Sequence, residues 1–392
     1  MLAKQNRILL PLTAGLNAFN SLLLGIGGLL IIRQLSHSFL LYGVVSAISS
    51  IAIIGSTIFI GAKIDTLDKR KVFITVNCIA IILLLLLVQF WGSSRFLIYF
   101  MGFDLLMGFL SLFAGIAFSG SIKEFTVPEQ LDQVVSRIST SRMVGILASM
   151  GTVFLYATSS HLIPYLLETV AIATFISIIS SLFIKRATTT VIQNTTSLTL
   201  RNIKHASLQI WHDELIKSMI MINIFILTIQ SAFNGFIIFF WSTIDPNYSK
   251  LSSLLIAYAV GIGIGYLALR INQNGLRMLL MLVTISCALL YAFVQSESTL
   301  IAVIISIMAV SLPVENWTQR NIIKYSDVRV QGLREGYVSF FSAILDTLFS
   351  TVIAGVLQVL HHENDFFLLL IVLGTIIFVY YNNKIKQLKK AI

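Results

Sequence analysis

The chain has 392 residues, of which 57% are hydrophobic and only 11% are charged, and its mean hydropathy is +0.90. A composition this apolar exceeds what the core of a water-soluble domain can bury, so a soluble globular protein is excluded. The formal net charge of +10 is explained by membrane topology and by attraction to anionic lipids, and it requires no nucleic-acid partner.

Windows of about 20 mostly apolar residues, the length that crosses a bilayer as a helix, recur from one end of the chain to the other. The runs are continuous and lack the alternation of barrel strands, which favours α-helices. We predict an all-α membrane protein with twelve transmembrane helices in two six-helix halves. The predicted spans 1 to 12 begin at roughly residues 8, 39, 72, 96, 136, 162, 215, 251, 277, 299, 334 and 366.

The distribution of Lys and Arg between the loops predicts the orientation. With the N-terminus inside, only Arg33, Arg95 and Lys250 of the 27 cationic residues fall at outer ends. Cytoplasmic loops carry the excess of cations in membrane proteins. We therefore predict cytoplasmic N- and C-termini in a multi-pass protein of the cell (plasma) membrane, interpreted as a bacterial inner membrane.

A polar stretch rich in Thr and Asn interrupts the rhythm of spans in the middle of the chain and contains no window long enough to cross a bilayer. It predicts three parts: an N-terminal six-helix half at 1–186, a cytoplasmic linker at 187–213 and a C-terminal six-helix half at 214–392.

The turn between spans 2 and 3, GAKIDTLDKRKV at 61–72, gathers two acids and four cations. A glycine and an aspartate followed by several cations resemble the helix 2 to 3 signature of the major facilitator superfamily. Such a glycine allows close helix approach, and such an aspartate can meet an opposing helix N-terminus or an arginine. The resemblance implies a switchable cytoplasmic gate, with the candidates Gly61, Asp65, Asp68, Lys69 and Arg70.

Three segments resemble one branch of that superfamily, the macrolide-efflux and enterobactin-exporter-like drug:proton antiporters: SHSFLLYG at 36–43, DTLDKRKVF at 65–73 and NWTQRNIIKYSDVRVQGLREG at 316–336. The resemblance implies the major facilitator fold and outward movement of drugs, siderophores or similar secreted metabolites. The sequence also departs from the pattern. Thr66 replaces the arginine that often follows the signature aspartate, and Leu269 stands in the second half where Asp65 stands in the first.

Catalytic and cofactor motifs are missing from the sequence. Cys78 and Cys287 lie far apart in apolar spans, and neither Cys-x-x-Cys, His-Glu-x-x-His nor an ATP-binding Gly-x4-Gly-Lys loop is present. We predict no enzyme activity, no metal and no cofactor. The GIGIG stretch at 261–265 follows no strand, so it predicts tight helix packing rather than nucleotide binding.

Ionisable residues inside a span cost about 2.5 kcal/mol or more on insertion scales and tend to mark a transport pathway. Asp346 in span 11 and Asp104 in span 4 are candidates to carry protons or contact a substrate, or they serve structure and solvation. Glu315, beside Pro313 in span 10, is a candidate for gating or is solvated near the cytoplasm. Arg142 in span 5 either pairs with an acid or an anionic substrate, or snorkels to the surface.

Five amides in spans 1 and 7 form a second group of candidates. They either line a cavity between the halves or bind neighbouring helices together. These residues are Asn17, Asn20, Asn223, Gln230 and Asn234.

The predicted function is secondary-active export of a small amphipathic organic molecule by alternating access, with protons as the coupling ion in an antiport cycle. The expected partners are that substrate, protons and the lipid bilayer, and the chain is expected to be a monomer. The alternatives are an importer or uniporter of the same fold, and a non-transporting membrane sensor or assembly factor.

Overall fold

The structure is a computed structural model. It describes residues 2–36, 39–156, 161–185, 208, 212, 217–224, 226, 249–271, 274–294, 296–325, 333–345, 347, 372, 375 and 379. Almost all of span 12 and of the linker at 187–213 lies outside the described residues, as do His361, His362 and Glu363.

The residues before the predicted linker, which we call the N-terminal half, form six helices, with a short 3-10 turn at Pro128–Gln130; the residues after the linker are called the C-terminal half. The helices are α1 Leu2–Ser36, α2 Phe39–Ile64, α3 Lys69–Gln89, α4 Phe96–Phe125, α5 Leu131–Tyr156 and α6 Leu162–Leu182. In the C-terminal half, the described helices are α7 217–224, α8 Ser249–Ile271, α9 Asn274–Val294, α10 Glu297–Tyr325 and α11 333–345.

The described part of the chain contains no strand, so the prediction of an all-α membrane protein is confirmed. Six of its helices include a segment long and apolar enough to cross a bilayer. These segments are Gln5–Ile32, Lys69–Gln89, Phe96–Phe125, Leu131–Tyr156, Leu162–Leu182 and Ser298–Thr318. The total of twelve spans, the boundaries of the two halves and the cytoplasmic termini stay predictions.

Glycines bring the helices of each half into close contact. A Cβ added to Gly15 of α1 would lie 2.8 Å from the carbonyl oxygen of Ser141 in α5, and a Cβ on Gly145 would overlap the carbonyl of Gly15. In the other half, a Cβ on Gly261 of α8 would lie 2.6 Å from the carbonyl oxygen of Ile305 in α10. The helix-packing interpretation of GIGIG is thus confirmed. Small residues allow such approach where lipid provides no hydrophobic drive between helices.

The ends of α2, α3, α4 and α6 meet at one end of the bundle, around the turn at 63–71. Lys69, the first residue of α3, pairs with Glu124 near the end of α4. Arg70 donates a hydrogen bond to the carbonyl of Leu182, the last residue of α6. We call this the basic end of the bundle.

Aromatic side chains surround the α3–α4 junction, at the opposite end of these helices. The rings of Phe90 and Tyr99 have centroids 4.6 Å apart, and those of Trp91 and Phe96 are 4.8 Å apart. Aromatic belts of this kind mark the level where a membrane meets water. The two ends of the N-terminal half therefore differ in chemistry, with charge at one end and aromatic rings at the other.

The close approach of α1 and α5 predicts the effect of adding one methyl group. We expect Gly145→Ala to destabilise the folded protein by about 2 kcal/mol, because the new Cβ overlaps the backbone of α1. The measurement is the midpoint of thermal unfolding of protein in lipid nanodiscs.

Gly151→Ala on the same helix is the matched control, because no heavy atom lies within 4 Å of a Cβ built there. Both substitutions gain the same helix propensity. Equal midpoints for the two variants would contradict the close contact.

Candidate functional site

The carboxylate of Asp65 joins the two halves of the protein. α2 ends at Ile64, and Asp65 follows in the turn. Its Oδ2 accepts a hydrogen bond of 3.0 Å from the backbone N–H of Leu333 in α11. A hydrogen bond from a backbone N–H to a carboxylate is shorter and stronger than one between two neutral groups. The carboxylate of Asp65 therefore stabilises the contact between α2 and α11.

Two glycines bring the backbones of α2 and α11 together beside this contact. A Cβ built on Gly336 of α11 would lie 2.8 Å from the carbonyl oxygen of Thr57 and 3.6 Å from the Cα of Gly61. Both glycines are buried. A side chain at position 336 would separate the helices and move Leu333 away from Asp65.

Lys69 supports Asp65 from within the N-terminal half. Its side chain is only 3% exposed, and its Nζ lies 3.9 Å from Asp65 and in direct contact with Glu124 of α4. A Cβ on Gly120 would lie 3.1 Å from the Cε of Lys69, so α4 leaves just enough room for the lysine stem. A buried ammonium requires paired carboxylates. Glu124 is not among the residues singled out in the sequence. The feature that could have identified it is its position as an acid at the cation-rich end of span 4.

Asp68 and Arg70 organise the turn that carries Asp65. Asp68 caps α3 by accepting hydrogen bonds from the backbone N–H groups of Arg70 at 3.1 Å and Lys71 at 3.3 Å. Arg70 binds the end of α6 in the same half. Of the five gate candidates, Gly61 and Asp65 thus contact the other half, while the other three hold the turn that presents Asp65.

A second polar contact joins the halves between α5 and α10, and we call it the α5–α10 clasp. The Nη1 of Arg142 lies 3.9 Å from the Oε1 of Glu315, and the Ser139 hydroxyl donates to the Oδ1 of Asn316 at 2.9 Å. The structure therefore brings together two of the residues singled out in the sequence, Arg142 and Glu315. Ser139 and Asn316 are polar positions that the sequence analysis did not select.

A cavity of about 210 Å³ lies behind these two contacts, between α4 and α5 of one half and α11 of the other. Its wall is partly apolar, and its polar lining consists of Ser111, Ser119, Ser139, Arg142, Glu335 and Ser339. Glu335 pairs with the adjacent Arg334, whose side chain is 1% exposed. The sequence analysis did not select Glu335, although it lies in the LREG segment that opens span 11.

The remaining ionisable candidates lie elsewhere. Asp104 is half-buried in α4, two turns beyond Ser111 and toward the aromatic rings of the α3–α4 junction, so it does not line the cavity. Asp346, Gln230 and Asn234 lie outside the described residues.

The amides of α1 point toward α6. Asn20 donates to the Thr174 hydroxyl at 3.0 Å, and Asn17 accepts from the Ser177 hydroxyl at 3.4 Å. In the C-terminal half, Asn223 of α7 accepts a hydrogen bond of 3.2 Å from a threonine hydroxyl of α10. These contacts match the helix-binding alternative for the three amides.

Comparison with models of known protein families identifies a family. A family model described as the Major Facilitator Superfamily matches residues 10–323, well over half of the chain. No curated protein sequence matches the chain.

Solved transporters share the fold over nearly their whole length. The human organic anion transporter MFSD10 (TETRAN) has a TM-score of 0.69 at 15% identity, covering 96% of this chain and 98% of its own. A mutant of the nucleoside transporter NupG has a TM-score of 0.65 at 13% identity, with 97% and 99% covered. The xylose transporter XylE from E. coli, partially occluded and inward open, has a TM-score of 0.68 at 10% identity, with 97% of both chains covered. At these identities the likeness shows the fold alone.

The buried position of Lys69 predicts a large cost for removing its charge. We expect Lys69→Met to destabilise the protein by about 3 kcal/mol, because Asp65 and Glu124 would lose the cation between them. The measurement is the thermal unfolding midpoint in nanodiscs.

Lys71→Met serves as the control, since Lys71 is exposed two residues further along α3. Its expected change is below about 0.5 kcal/mol. A tolerated Lys69→Met would show that the two carboxylates do not depend on the lysine.

Proposed function

The chain belongs to the major facilitator superfamily, and on that premise we propose that it is a secondary-active exporter of a small amphipathic organic molecule. The two halves rock about a site between them, so that one end of the bundle opens while the other closes. Inward movement of protons drives the cycle. The basic end faces the cytoplasm of the cell, and the protein lies in the cell membrane.

The observation that carries the proposal is the polar closure of the basic end with a cavity directly behind it. The polar contacts between α2 and α11 and between α5 and α10 are hydrogen bonds and a partly exposed ion pair. Water can replace such partners at a small net cost, unlike the packed apolar interior of each half. Contacts of this kind suit a gate that forms and breaks in every cycle.

The direction of transport and the coupling ion rest on other support. The segments 36–43, 65–73 and 316–336 resemble drug:proton antiporters that move their substrates outward. A carboxyl group in a span is the usual carrier of a proton, and Asp104 and Asp346 are the candidates. The transporters of similar fold are named for different substrates, namely organic anions, nucleosides and xylose, so they favour no single substrate class.

The contact between Asp65 and α11 predicts a shift in the conformational balance. In Asp65→Asn the amide can still accept from the backbone N–H of Leu333, but it lacks the charge that strengthens this hydrogen bond and attracts Lys69. We expect the ratio of open to closed basic ends to rise about five-fold, equivalent to about 1 kcal/mol.

Spin labels at Lys71→Cys in α3 and Gly275→Cys in α9 would report this ratio by pulsed electron resonance, with Cys78 and Cys287 replaced by serine. Asp68→Asn is the matched control, because it removes a carboxylate from the same turn and asparagine caps a helix equally well. A wild-type distance distribution in Asp65→Asn would refute the gate.

Proton coupling predicts substrate-dependent proton flux in liposomes that contain a pH dye. With a panel of drugs and siderophores, we expect a compound to release or take up protons in the wild type, and this flux to fall at least about ten-fold in Asp104→Asn or in Asp346→Asn.

Proton flux that persists in both variants would show that the two acids have structural roles and do not carry the proton. The direction of flux in an imposed pH gradient separates the exporter from an importer of the same fold. A protein that passes the gate test yet moves no compound would favour the non-transporting sensor.

A further inference from the structure

We infer that the cavity behind the basic end accepts an amphipathic organic anion, and that this anion opens the α5–α10 clasp by taking Arg142 from Glu315. The inference rests on the proposed transport function and adds to it a ligand class and a trigger for opening.

The charges that line the cavity differ in how readily they change partners. Glu335 is held at 2.5 Å by Arg334, its neighbour in the chain, which is 1% exposed and fixed by its surroundings. The partners Arg142 and Glu315 are 3.9 Å apart and are 32% and 23% exposed. A longer ion pair in contact with water is weaker than a short buried one. Arg142 is therefore the charged group of the cavity that changes its partner most readily. Because Arg142 is a cation, a ligand that replaces its partner is an anion.

Both α5 side chains of the clasp also line the cavity. Arg142 reaches Glu315 and Ser139 reaches Asn316, while the cavity is bordered by the same two side chains of α5. A ligand that engages the guanidinium and the hydroxyl thus competes with both contacts to α10. Ligand binding therefore favours separation of the halves, because the groups that bind the ligand are the groups that hold the clasp closed.

The shape and chemistry of the wall suit an anion with an apolar body. Ile116 of α4 and Val135 and Ile138 of α5 supply an apolar side, and a guanidinium binds a carboxylate or sulfonate with two parallel hydrogen bonds. The volume of about 210 Å³ is below the roughly 300–1,000 Å³ of typical ligand pockets. A larger ligand therefore needs the halves to part, as opening of the clasp allows.

The test uses three probes of one shape and different charge: 1-naphthoate, 1-naphthamide and 1-naphthylmethylammonium. Binding to the full-length protein in nanodiscs is measured by calorimetry. We expect naphthoate to bind more tightly than the other two. Arg142→Gln should weaken naphthoate binding about ten-fold through loss of a charged hydrogen bond. Glu315→Gln should tighten it about three-fold, because the competing carboxylate is gone.

The opposite signs of these two changes are decisive, since both variants break the same ion pair. A merely structural pair would move the affinity in one direction in both. Arg137→Gln is the matched control, because Arg137 is exposed on the same helix and does not line the cavity. In the spin-labelled protein, naphthoate should enlarge the open population, and this effect should vanish in Arg142→Gln.

Equal binding of the three probes, preference for the ammonium compound, no naphthoate binding, or unchanged naphthoate binding in Arg142→Gln would each overturn the inference. The distance between the spin labels in Asp65→Asn is measured without ligand, so it tests the gate independently of the anion site. An Asp65→Asn protein that opens while naphthoate has no effect would leave the transport proposal standing and remove the anion site.

Discussion

The arrangement at the basic end depends on one carboxylate that must be partly removed from water. Asp65 follows the last residue of α2, and its charge is met from one side by the backbone N–H of Leu333 in α11 and from the other by Lys69. The lysine is itself buried and therefore needs Glu124. In this series of three charges, Lys69 lies between two carboxylates of opposite sign, which makes its burial tolerable. The glycines of α2, α4 and α11 follow from the same demand, since the partners meet only if the backbones approach closely.

Close packing holds the N-terminal half together. In the N-terminal half, α1 packs against α5 through facing glycines and against α6 through buried amides and hydroxyls. Such contacts are short, dry and costly to open. Between α2 and α11, a buried glycine contact accompanies the hydrogen bond of Asp65. The α5–α10 clasp is a partly exposed ion pair beside one hydrogen bond. The clasp is therefore the more exchangeable of these two contacts.

The two halves do not contribute equally to closure. The first half supplies an aspartate at the end of α2, whereas the second has Leu269 at the related position in α8. A leucine offers no charge to a helix N-terminus. The α5–α10 clasp provides a polar contact between the halves by other means, through Arg142 and Glu315. The two contacts therefore differ in chemistry. Asp65 binds a backbone N–H of α11, whereas Arg142 and Glu315 form an exchangeable ion pair beside the cavity.

The sequence by itself determined the helical class, the cation-rich turn at 61–72 and the packing role of GIGIG. These features are local: a bilayer forces apolar segments to satisfy their own backbone, and glycine spacing on one helix fixes where a neighbour can approach. The twelfth span, the orientation and the identity of the substrate stay predictions. Only the tertiary structure decided which side chains meet across the halves. It paired Arg142 with Glu315, brought Glu335 into the cavity and turned Asn17 and Asn20 toward α6. Hydropathy does not encode these meetings, because they depend on how each helix is rotated about its axis and on which distant helix it packs against.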